Sequence, residues 1–141
     1  MATFNKFNAF VEHLAEKTHN LGADTLKILL TNTTPVATNS VRGDLSEIPP
    51  GNGYPAGGLP APIIGSAQTA GTYKLTLGDV VFTAAGGSIG PFRYAVLYND
   101  TPTSPADPLI GWYDYGASIS LGDTETLTID FDATNGVLTL A

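Results

Sequence analysis

Between Thr33 and Pro62 the chain reads TTPVATNSVRGDLSEIPPGNGYPAGGLPAP, and six of its ten prolines fall in this stretch. Proline has no backbone donor, and the residue before it is driven out of the α region. Neither a helix nor a central strand can run through such a segment. A stretch of about thirty residues without elements of its own is unusual in a small domain and is often functional. It is expected to form an extended arm or lid-like loop over about residues 33–62, followed by a short edge strand near Ile63–Ser66. The glycines of GNGYPAGG lie in no strand–loop–helix order and are followed by no Gly-Lys-Ser/Thr, so they supply turns rather than a phosphate cradle.

The arm separates a short N-terminal part from a longer C-terminal one. Phe4, Phe7, Val11, Leu14 and Ala15 recur at spacings of three and four, which predicts a helix over about residues 4–20. Thr3 can cap it, with Lys6 in place of the acidic partner of a full capping box, and Asn20–Gly22 supplies a stop. Phe10 widens the apolar face, which must bury against the domain's own sheet or a neighbouring subunit. In DTLKILLTN, Leu26, Ile28 and Leu30 alternate with Thr25, Lys27 and Leu29, a strand with one face inward.

From Thr72 onward, TYKLTLGDVVFTAAG, GPFRYAVLYND, LIGWYDYG and SISLGDTETLTIDFD read as strands separated by turn residues. Asn135–Gly136 near the end is a strong hairpin signal. Several short strands after one helix predict a mainly β fold, a β-sandwich or jelly-roll-like domain with one N-terminal α-helix, spanning residues 1–141 as a single domain.

Composition limits the chemistry. There is no cysteine, which excludes disulfides, thiolate metal sites and a cysteine nucleophile. The net charge of −7 argues against binding a phosphate backbone, which needs clustered Lys and Arg. Four basic and five acidic residues lie in 1–70, against two and eight in 71–141, so the acidity sits in the C-terminal half. No apolar stretch reaches the ~20 residues of a membrane helix. The start, interrupted by Lys6, Glu12, Glu16 and Lys17, does not read as a signal peptide.

The remaining candidates favour structure over catalysis. Strand alternation puts Arg93 on one face with Ala95 and Leu97, and Phe92, Tyr94, Val96 and Tyr98 on the other. A pair with one of the C-terminal acids, or a salt bridge to another subunit, suits its guanidinium. His13 and His19, six apart on the expected helix, point to different faces, cannot chelate one metal, and read as exposed. Asp130 and Asp132 share a strand face and read as solvent-facing charges at a sheet edge. A calcium site or a glycosidase pair is the sharper alternative. Trp112 faces away from Tyr113 and Tyr115. These aromatics fit core or interface, or a platform for sugar rings. No catalytic, cofactor or metal residue is expected.

Taken together, FNAFVEHLAEKTHNLGADTLKILLTN, GNGYPAGG, GPFRYAVLYND, LIGWYDYG and FDATNGVLTLA resemble small structural proteins of tailed bacteriophages, over nearly the whole chain. The resemblance implies a virion role, most closely that of a capsid cement or decoration protein. Such a protein would be made in the host cytoplasm and sit on the outer surface of the icosahedral shell. The implied partners are the major capsid protein and further copies of the chain, with no nucleic acid, membrane or cofactor. A tail-fibre or receptor-binding module using the aromatics for sugar is the competing reading. Phe4, Phe7, Tyr54 and Arg93 are the expected interface residues, and the arm from Val36 to Pro62 is expected to be mobile until it docks.

Overall fold

Strand β2 (Leu26–Thr31) forms where the alternation places it, yet both of its faces are buried: Leu26, Ile28 and Leu30 on one side and Leu29 on the other. A strand buried on both faces must lie inside a sheet with cover above and below, and the computed structural model, which describes residues 2–141, shows what provides that cover.

Among the described residues the other elements are β1 (Asn5–Lys6), α1 (Ala9–Ala15), β3 (Leu59–Pro60), β4 (Ile63–Thr69), β5 (Thr72–Leu77), β6 (Val80–Thr83), β7 (Ile89–Asn99), β8 (Leu109–Leu121), β9 (Thr126–Ile129) and β10 (Leu138–Leu140). A five-stranded sheet runs β1-β8-β7-β2-β3. A three-stranded sheet runs β10-β5-β4, and β6 pairs with β9. Every strand pairing is antiparallel. The fold is mainly β and β-sandwich-like with one helix, as the strand alternation predicts.

The inner face of the five-stranded sheet contributes Leu26, Ile28, Leu30, Phe92, Ala95 and Leu97 to the main core. Leu75 and Leu77 of β5 and Val80 and Phe82 of β6 meet them from the smaller sheets. The outer face carries a second cluster of Phe7, Leu29, Val96, Tyr98 and Leu109, with Leu45 and Trp112 packed against it. Burying side chains of this size stabilises by about 1.5–3 kcal/mol each. This second cluster explains the unbroken apolar run of β7, which needs a buried environment on both sides.

The helix is shorter than the sequence periodicity suggests. Phe4 precedes a short strand, Phe7 lies in the loop after it, and α1 ends at Ala15. Lys17 takes a left-handed conformation (φ 70°). The Thr18 N–H bonds to the His13 carbonyl at 2.8 Å and the Lys17 N–H to the Leu14 carbonyl at 3.4 Å, closing the helix with a Schellman turn. The apolar spacing continued past the point where backbone geometry stops the helix.

The arm is hydrogen-bonded into the domain along its length. Its backbone forms short turns of its own, such as the mutual Gly51–Tyr54 pair at 2.8 and 3.0 Å, and further hydrogen bonds tie it to neighbouring elements. Leu109 N–H reaches Ser40 O at 3.0 Å, Ile48 N–H reaches Leu30 O at 3.1 Å and Ala61 N–H reaches Leu26 O at 2.8 Å. Glu47 sits at the centre. One carboxylate oxygen accepts from the Tyr54 hydroxyl at 2.7 Å and the Gly57 N–H at 2.7 Å. The other accepts from Arg42 at 2.7 Å and 3.3 Å. Tyr54 O–H in turn accepts the Leu30 N–H at 3.0 Å, and Tyr98 O–H donates to Gly57 O at 2.6 Å. Prolines and glycines that cannot form a ladder are thus held by side chains.

Replacing Glu47 with Ala strips partners from a tyrosine, a guanidinium and a backbone donor together. The expected cost is about 3 kcal/mol, or roughly 6–12 °C in Tm. Glu47→Gln, which keeps one acceptor but loses the charge facing Arg42, should fall between it and wild type in denaturant melts. An Ala variant melting with wild type would show that the arm is held by other contacts.

Candidate functional site: an aromatic cleft beside the Arg93–Asp114 pair

Of the expected interface residues, two are core. Phe7 is fully buried, its ring 4.6 Å from that of Trp112. Tyr54 is 2% exposed, stacked on Phe82 at 5.7 Å, and burial holds its hydroxyl well above the usual phenol range. Neither can meet a partner, because the same large aromatics that make interface anchors also make the best core fillers. Phe4 is half-buried and packs on Tyr113 at 5.6 Å. Its ring lies over Gly111, where any Cβ would collide with it, so glycine is required there.

Arg93 is half-exposed and grips Asp114 with two hydrogen bonds of 2.8 and 3.0 Å. That pair, together with the Gly116 N–H on Asp114, holds the Asp114 carboxyl below the usual range. A register shift governs the surroundings. Phe92 pairs with Ile119 and Tyr94 with Asp114, so β8 loops out at Tyr115–Ser118. The shift breaks the simple alternation along β7: Phe92 turns inward beside Ala95 and Leu97 instead of sharing a face with Val96 and Tyr98. It also leaves Tyr115 59% exposed, above a cleft.

The cleft has a volume of about 510 Å³ and lies between the inner face of the five-stranded sheet and residues 127–137. Leu30, Phe92, Phe131 and Val137 form a buried floor, and Phe4 and Tyr113 form an aromatic wall. Arg93, Tyr115, Asp130 and Asp132 stand along the lining. Burial pushes the Tyr113 hydroxyl up to about 12, so it is a neutral donor at ordinary pH, and it has no hydrogen-bond partner among the described residues. Asp132 is not on a strand face with Asp130, since β9 stops at Ile129. Its carboxylate closes a turn by accepting from Thr134 N–H, Asn135 N–H and the Asn135 side chain at 2.8–2.9 Å. Those bonds hold its pKa low. Asp130 is exposed and carries no side-chain partner among the described residues. No group of three His, Cys, Asp or Glu positioned to hold a metal occurs among the described residues.

The early end of α1 also overturns the reading of the histidines. The chain doubles back and brings the rings of His13 and His19 to 6.0 Å, with His19 only 5% exposed and 5.2 Å from the Phe10 ring. His19 Nδ1 lies 3.1 Å from the Asn99 amide, which also donates to Asp24 at 2.7 Å. With the amide donating, Nδ1 is the acceptor and Nε2 carries the proton, as assigned from this network. A helical wheel places the two histidines apart. Only the Schellman turn joins them.

Burial, reinforced by His13, lowers the His19 pKa from 6.5 to about 4, with Asp24 opposing. The unfolded chain therefore binds a proton between those values that the folded chain refuses, and stability falls as pH drops from 6.5 toward 4. A loss on the order of 2 kcal/mol is expected across that window. Urea melts of wild type and His19→Gln should diverge there, the variant being the flatter. Parallel slopes would remove His19 as the cause. Comparisons with family models, with curated proteins and with solved structures returned no match to this chain.

Proposed function

We propose that this protein is a structural component of a tailed-bacteriophage virion, a cement or decoration subunit that binds the assembled icosahedral shell and stabilises it. Its partners are the major capsid protein and further copies of itself, its place is the capsid surface, and it performs no catalysis. The resemblance of the sequence to small virion proteins motivates the reading, and one structural observation supports it most. Strand β4 is a free edge seven residues long, hydrogen-bonded to β5 alone. It has no charged residue and no proline, and Ile64 on it is 63% exposed. Monomeric proteins guard such edges with charges, prolines or cover. The two edges of the five-stranded sheet follow that practice, ending in β1 and β3 of two residues each. Past a register irregularity at Ile64, the edge from Gly65 to Thr69 carries no such guard and suits strand addition to a neighbouring protein.

Repetition of the same contact around a symmetric shell would turn a modest edge interaction into firm attachment.

Ala67→Lys on β4 should reduce occupancy on purified particles several-fold while leaving the Tm of the free protein within about 2 °C, because surface changes seldom exceed 0.5 kcal/mol. Particles lacking the protein should rupture at lower temperature or milder osmotic shock. Particles of normal strength with defective tails would replace this reading with a tail-fibre or receptor-binding role.

A further inference from the structure

We propose that the cleft between the five-stranded sheet and residues 127–137 binds a sugar residue that carries an apolar substituent, such as an N-acetylhexosamine or a 6-deoxyhexose. The inference is independent of the capsid role, since it concerns a different surface from β4.

Size and chemistry select this class. A volume of about 510 Å³ lies within the usual range of small-molecule sites and accommodates one or two sugar rings. The floor of Leu30, Phe92, Phe131 and Val137 offers nothing to a hydroxyl, so a ligand seated there must present a methyl or similar group. The wall and rim are different. Tyr113 and Tyr115 offer ring surface on which the C–H face of a pyranose can lie, and both carry phenolic hydroxyls. Asp130 offers an acceptor that has no side-chain partner among the described residues. Arg93 spends Nε and one terminal nitrogen on Asp114 and keeps its other terminal nitrogen as a donor.

Donors and acceptors of both kinds beside an apolar floor match a neutral polyhydroxyl ligand. An anion would meet Asp130 and Asp132 against a single arginine that is already paired with Asp114. A purely apolar ligand would desolvate the Tyr113 hydroxyl and the Asp130 carboxylate without replacing their bonds to water. A plain hexose would leave the floor uncovered. The β8 bulge at Tyr115–Ser118 and the turn closed by Asp132 frame the entrance, so the site stands on fixed backbone.

The test is a titration of the isotope-labelled protein, followed by amide shifts, with N-acetylglucosamine, L-rhamnose, glucose and, as an apolar control, toluene. Saturable shifts at Tyr113, Tyr115 and residues 130–132, with millimolar affinity for a substituted sugar and weaker binding of glucose, are expected. Tyr115→Ala and Asp130→Asn, both at exposed positions, should each weaken that binding by roughly fivefold or more with Tm unchanged. The proposal is overturned if neither substituted sugar gives saturable shifts at these residues, if toluene binds there and the sugars do not, or if both variants bind as wild type does. None of these outcomes bears on particle occupancy, so this reading and the capsid reading stand or fall separately.

Discussion

The carboxylate of Glu47 is the contact on which the architecture turns. It collects a tyrosine hydroxyl, a backbone N–H and a guanidinium from three points along a segment that has almost no secondary structure of its own. Charge-assisted bonds of this kind are stronger than neutral ones, and partial burial removes the competition from water. Arg42 extends the network to Asp107 at 3.5 Å and lies 5.8 Å over the Tyr98 ring. The arm is thereby tied to the loop before β8 and to the outer face of β7. Without such ties a proline-rich stretch has no means to satisfy its backbone and would sample many conformations.

Fixing the arm has a consequence for the sheet. Leu45, carried on the arm, joins the outer cluster around Leu29, Val96 and Tyr98, while Phe7 covers it from the N-terminal side. The five-stranded sheet is therefore sealed on both faces over β2 and the second half of β7. Toward the first half of β7 the register shift sends Phe92 inward and β8 bulges outward. The inner face there lines the cleft together with residues from the 127–137 segment. A turn closed by Asp132, rather than a further strand, forms that side of it.

Much of the fold was legible in the sequence, since alternation after Thr72 and the Asn-Gly near the end are local signals with local causes. The alternation also put Trp112 and Tyr113 on opposite faces, where they are found: Trp112 in the outer cluster and Tyr113 against the main core. Failures occurred where the decisive contact was remote. Nothing within the arm announces that Glu47 will find Tyr54 and Gly57. The apolar spacing of residues 4–15 looks helical because Phe4 and Phe7 are apolar for another reason, to cover Gly111 and the outer face of the sheet. His13 and His19 were misplaced for the same cause, a helix end set by Lys17 in a left-handed turn with no glycine to mark it. Phe92 went to the wrong face because a bulge in the partner strand cannot be seen in β7 itself. The cleft combines several of these non-local effects, so its aromatics could be named from the sequence but not assembled.

The two surfaces singled out above sit on opposite sides of one small sheet. In the order β10-β5-β4, the free edge is β4, while Gly136 and Val137, which line the cleft, lead directly into β10 at the other side. Val137 is pinned there by its N–H to the Leu75 carbonyl at 2.7 Å. A protein added along β4 would extend the sheet away from the cleft rather than across it, and a ligand in the cleft would leave the β4 ladder free. Between them lies β5, whose Leu75 and Leu77 are buried in the main core, so neither surface can shift without disturbing packed side chains. With this separation, the proposed strand addition at β4 and the proposed ligand in the cleft would not compete for the same surface.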